Sequence, residues 1–127
     1  MDTPSLNLLF GWAAVLSAVA TVATAVTAIL FFSVAERFGP INDAVSVVQV
    51  LLMLPVAWGL YHVTRPGAPT LALLAAAIGG IAMLVTALLQ TLLVAGAVTF
   101  EQTIATVLGA GGVIGIWLVL ALSLIHI

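Results

Sequence analysis

Polar residues along this chain come in short bursts, separated by long stretches of Ala, Val, Leu, Ile and Gly. Four of those stretches reach the roughly 20 mostly apolar residues that a membrane-spanning helix needs. They cover about residues 7–34, 44–63, 71–97 and 103–122. The runs are unbroken and lack the two-residue alternation of transmembrane strands. The expected fold is therefore all-α, an integral membrane bundle of four antiparallel transmembrane helices forming a single domain.

The polar bursts carry punctuation that fits this division. Gly39-Pro40 breaks the chain, and Asn42 or Asp43 can then accept hydrogen bonds from the free amides that open a second helix. Arg65-Pro66-Gly67-Ala68-Pro69-Thr70 reads as a proline-stiffened turn with Thr70 capping the third helix. Thr99 to Thr103 is the third connection. Four crossings put the N-terminus, the second connection and the C-terminus on one side. Trp12, Trp58, Tyr61 and Trp117 then gather near that side as an interfacial belt, with Phe31, Phe32, Phe38 and Phe100 opposite. Arg37 and Arg65 fall on opposite sides, a tie under the positive-inside rule. His62 near Arg65, and no acidic neighbour there, tilt the second connection towards the cytoplasm.

Composition strengthens the class. Hydrophobic residues make up 65% of the 127 residues and charged residues 5%, more apolar surface than a water-soluble chain of this size can hide. The lipid bilayer is the expected solvent and partner, and a net charge of −2 argues against nucleic acid. The absence of cysteine removes disulfides, thiolate metal sites and a cysteine nucleophile. The first residues lack the positive region of a signal peptide, and the following apolar run is too long for one, so the first span is expected to stay uncleaved. No phosphate-binding loop, dinucleotide fingerprint, catalytic triad or metal-ligand pair is legible. No catalytic residue, metal or cofactor is therefore assigned, and the expectation is a protein that is not an enzyme.

Candidate chemistry concentrates between Glu36 and Gln49. Asn42, Ser46 and Gln49 are spaced i, i+4, i+7 and share one face of the second helix. Gln49 lies about 10 Å inside at 1.5 Å per residue. Gln90 lies at a similar depth on the third helix, so the two glutamines are expected to meet beneath a rim of Glu36, Arg37, Asp43 and Glu101. Such a cluster reads either as a polar pocket open to the first-loop side or as an interhelical hydrogen bond worth about 0.6 kcal/mol on average. The bond is the weightier reading, because neither amide ionises.

Small residues suggest close helix packing. Ala13, Ser17, Thr21, Thr24 and Ala28 form a stripe on the first helix, Ala72, Ala76 and Gly80 on the third, and Gly111 and Gly115 on the fourth. Packing within the chain is the first use expected of them, and a homo-oligomer or membrane-protein partner through Gly111 and Gly115 the second. Pro55 removes one backbone hydrogen bond inside the second helix.

With Gly39, Pro40, Asn42 and Asp43 after the first span, the body resembles uncharacterised bacterial membrane proteins of about six helices, which implies a multi-pass protein of the bacterial inner membrane and no catalytic residues. The last six residues, Leu122-Ser123-Leu124-Ile125-His126-Ile127, resemble one translated frame of a transposon end used to build sequencing libraries. That resemblance implies a metagenomic fragment with a non-native tail over 122–127, a tail that makes no specific contact, and a natural chain that continues into further helices. It also removes His126 from any functional argument. The function expected from these observations is a non-enzymatic structural or assembly module of the membrane. The alternative is a small transporter or channel unit with a polar pocket open to the first-loop side.

Overall fold

The computed structural model describes residues 3–125. The chain runs α1 (Thr3–Ser33), a short 3-10 turn (Glu36–Phe38), α2 (Gly39–Thr64), α3 (Pro69–Val94) and α4 (Phe100–Ile125). The described residues contain no strand. All four long helices have the length and apolar character to cross a membrane, and this is an all-α, membrane-type helical bundle.

Each connection closes its helix ends differently from the sequence expectation. α2 starts at Gly39, with Pro40 in its first turn and no side-chain cap. Pro suits that place because its missing N–H is one that a helix start leaves unpaired anyway. Asn42 and Asp43 therefore lie inside the helix, not at its cap. α3 likewise starts at Pro69, and Ala68 occupies the position expected for Thr70. α3 ends at Val94 where 97 was expected, because Gly96 takes φ 68. The Ala97 amide then donates to the Leu92 carbonyl at 2.9 Å and the Gly96 amide to Leu93 at 3.0 Å, a left-handed glycine closure of the helix end. α4 starts three residues earlier than expected. The Thr99 amide donates to Gln102 Oε1 at 2.9 Å, and the Gln102 amide donates to Thr99 Oγ1 at 3.4 Å. This reciprocal capping box satisfies two amides that the helix start leaves free.

The helices pack in chain order, α1 on α2, α2 on α3 and α3 on α4, with a lesser approach of α4 to α2. α1 and α4 do not come into backbone contact with each other. Towards the second connection the bundle closes tightly. Val50, Met53, Ala57, Met83, Ala87, Trp117 and Ala121 form its buried core. Trp117 packs over Gly79, where a Cβ would stand 2.5 Å from the indole, and Phe10 packs over Gly59, where a Cβ would stand 2.9 Å from the ring.

Ala13, Ser17 and Ala72 of the expected stripes are buried, but among the glycines the close approaches fall at Gly59 and Gly79. Gly80, Gly111 and Gly115 meet nothing within 4 Å, so the expected packing through them within the chain is corrected to Gly59 and Gly79. Trp117 is correspondingly a core residue, 2% exposed, and not a member of an interfacial belt. Trp58, Tyr61 and His62 do form an aromatic group at one end of α2. α4 runs unbroken through Ile125. Ser123 Oγ donates to the Val119 carbonyl at 2.8 Å, and Leu124 lines the space beside Trp117 and Ala121. The stretch expected to make no contact therefore joins the helix as far as it is described. His126 and Ile127 lie outside the described residues.

Candidate functional site

At the first-loop end the helices do not close. A cleft runs between α1 and α4, floored by α2 and α3. Its outer part encloses about 330 Å³ and its inner part about 430 Å³. Ala28, Asn42, Gln90, Val107 and Leu108 line both, so the two parts adjoin. Along α2 the lining runs from Gly39 to Met53, about 20 Å at 1.5 Å per residue. A bilayer core is roughly 30 Å thick. Met53 also belongs to the packed core, so the cleft ends blind against it.

The walls differ in chemistry from mouth to end. Glu36 and Asp43 line the outer part together with Phe31, Phe32 and Phe100. The three rings form an edge-on chain, with Phe31 4.8 Å from Phe32 and 5.7 Å from Phe100 between centroids. Gly39 makes room for it, since a Cβ there would meet the Phe31 ring at 3.1 Å. The amides of Asn42, Gln49 and Gln90 and the hydroxyl residues Thr24, Ser46 and Thr86 line the inner part. The α4 wall is apolar there, with Val107, Leu108 and Ile114, and Gly111 and Gly112 thin it further.

Of the eight residues expected to form a polar pocket, six line this cleft: Glu36, Asn42, Asp43, Ser46, Gln49 and Gln90. Arg37 and Glu101 do not. Arg37 holds its guanidinium 5.3 Å from the Phe38 ring centroid, and Glu101 is exposed on the first turn of α4.

The expected bond between the two glutamines is replaced by another. Gln49 Nε2 donates to Thr21 Oγ1 on α1 at 3.0 Å, and Thr21 Oγ1 passes its own proton to the Ser17 carbonyl at 2.9 Å. A second link lies nearly two turns nearer the mouth, where Thr27 Oγ1 stands 3.0 Å from Asn42 Oδ1. Thr27 Oγ1 is also 2.9 Å from the Ala23 carbonyl, and one hydroxyl carries a single proton. The hydroxyl therefore donates to one of these oxygens at a time. Thr21 was legible only as a small residue of the α1 stripe, and Thr27 lay outside that stripe. The six-residue step between them nearly matches the seven-residue step from Asn42 to Gln49 on α2, and that was the available signal.

Gln90 is left without a partner. It is 5% exposed, and its Oε1 is buried with no hydrogen bond. Thr24 Oγ1 is in the same condition on the facing wall. Buried polar atoms are paired in the great majority of cases, and an unpaired one costs about 1–3 kcal/mol. Both residues line the inner part of the cleft. The chain matches no family model, no curated protein and no solved structure. The site must therefore be read from its own atoms. Its lining offers two carboxylates, three amides and several hydroxyls, with no His, Lys or Arg.

Proposed function

We propose that this protein is a non-enzymatic membrane unit that binds a solute in the cleft between α1 and α4, in the manner of a small transporter. The observation that carries the reading is a cleft several hundred Å³ in volume lined by Gln90, whose own amide oxygen is buried without a partner. A bundle serving packing alone gains nothing from leaving that group unpaired. A pocket of about 300–1,000 Å³ with mostly apolar walls and a few convergent polar groups is the usual form of a small-molecule site. The blind inner end favours a binding unit over an open channel. The structural or assembly reading keeps one observation in its favour, since the backbone of α1 rests on α2 and the adjoining 3-10 turn alone, leaving its other faces free for another helix.

Cysteine accessibility tests the proposal on a background free of native cysteine. Ser46→Cys, Gln49→Cys and Val107→Cys should react with a membrane-impermeant thiol reagent added from the first-loop side. Ala57→Cys, beyond the blind end, should not. Lack of reaction at both Ser46→Cys and Val107→Cys would return the protein to the packing reading.

A further inference from the structure

The charge and ring chemistry at the mouth identify the kind of solute. Two carboxylates, Glu36 and Asp43, line the outer cleft, and neither forms an ion pair with a described residue. No cationic side chain shares the lining. Three phenylalanines line the same space, and aromatic ring faces attract cations. Gln90, whose amide oxygen is buried without a partner, lies deeper in, and the α4 wall there is apolar. An anion would meet two like charges across a medium of reduced dielectric. A neutral apolar molecule would leave both the Gln90 acceptor and the carboxylates unserved.

Resting on the solute-binding reading above, we infer that the cleft takes an amphipathic organic cation of the substituted-ammonium class. The ammonium sits among Glu36, Asp43 and the Phe31–Phe100 rings, and the apolar body lies inward along Val107 and Leu108. An N–H or hydroxyl donor on that body, or a water held beside it, completes the Gln90 carbonyl. Substituted ammonium groups suit this mouth better than a bare metal ion. A small, strongly hydrated cation requires more oxygen ligands than two carboxylates and an amide provide, whereas alkylated nitrogen is satisfied by ring faces and a nearby negative charge.

The test uses the full chain in lipid nanodiscs, with calorimetric titration against empty discs. Three probes of similar size separate charge from shape: benzyltrimethylammonium, its uncharged carbon isostere 2,2-dimethyl-1-phenylpropane, and phenylmethanesulfonate. The cation should bind about tenfold or more tightly than the isostere, and the sulfonate should not bind. Glu36→Gln and Asp43→Asn should each weaken the cation several-fold and leave the isostere unchanged, which also reports that the variants remain folded. Should Asp43→Asn lose the isostere too, the comparison rests on the exposed Glu36 alone.

Equal binding of cation and isostere, or preference for the sulfonate, overturns the ammonium inference while the solute-binding reading stands. Cation binding indifferent to both carboxylate changes overturns it as well. Binding of no probe removes both readings. Repeating the titration in uncharged digalactosyldiacylglycerol and in phosphatidylcholine discs, which lack the surface charge that would itself concentrate the cation, locates the source of the ammonium. A weaker apparent affinity in the choline lipid assigns the cleft to a lipid headgroup, and an unchanged one assigns it to a free solute.

Discussion

The two ends of this bundle are built from the same poor alphabet and reach opposite outcomes. Towards the second connection, Ala57, Gly59, Ala72 and Gly79 present almost no side chain, and Trp117, Met83 and Phe10 fill the space they leave. Large against small closes the helices, and Met83 there is 0% exposed. Towards the first connection the pairing is lost. Small residues line the inner cleft on both sides, Ala28 on α1 and Gly111 and Gly112 on α4, and no aromatic ring lines that part to fill the gap. In lipid no hydrophobic force draws helices together, so packing itself decides where a bundle closes. The difference teaches that glycine at a helix surface brings neighbours close only where a large partner is aimed at it.

That contrast can be broken by substitution, starting with its largest expected effect. Trp117→Ala should cost about 3–5 kcal/mol, read as a fall in thermal midpoint in detergent or nanodiscs. Leu108→Ala, in the cleft wall and 67% exposed, should stay within about 0.5 kcal/mol. Similar losses at both sites would show that the two ends are equally packed.

A finer version compares glycines. Gly79→Ala places a methyl against the Trp117 indole and should cost about 1–3 kcal/mol. Gly111→Ala adds the same methyl to open space and should be neutral or slightly stabilising, because alanine favours the helix by up to about 1 kcal/mol. If Gly111→Ala proves the more damaging of the two, that glycine faces a partner outside this chain.

The smallest effects concern the two glutamines, where the signs should differ. Gln49→Leu removes the link to Thr21 and should lose about 0.6 kcal/mol. Gln90→Leu removes a buried acceptor that has no partner and should gain about 1 kcal/mol. The double variant should show additive changes, since the residues share no bond. A strong coupling would mean that the glutamines do bond to each other.

Much of this was legible in the sequence, and the reasons are physical. Hydropathy sets the number of helices, because a bilayer imposes a minimum length and backbone satisfaction leaves helices as the choice. Helical spacing brought Asn42, Ser46 and Gln49 to one face, and equal depth added Gln90. Three things stayed hidden. Helix ends at Gly39 and Phe100 depend on caps and prolines whose competing choices are nearly equal in energy. The partner of Gln49 depends on the exact rotation of α1, whose small-residue stripe marks a packing face but not which of its hydroxyls meets the glutamine. The exchange of Gly80 for Gly79 as the contact is one residue of register, about 100° around the helix, and only the position of Trp117 decides it.

Pro55 gives the two ends a further, temporal distinction. It has no N–H to offer the Leu51 carbonyl, so the backbone ladder of α2 has a missing rung close to where the cleft ends at Met53. On one side of that rung α2 is clasped by Trp117 and Met83, and on the other it borders open space. The two segments of α2 can therefore fluctuate on separate clocks. Amides between Ile41 and Gln49 should exchange with deuterium sooner than those between Ala57 and Tyr61, so the mouth can breathe while its foundation holds still.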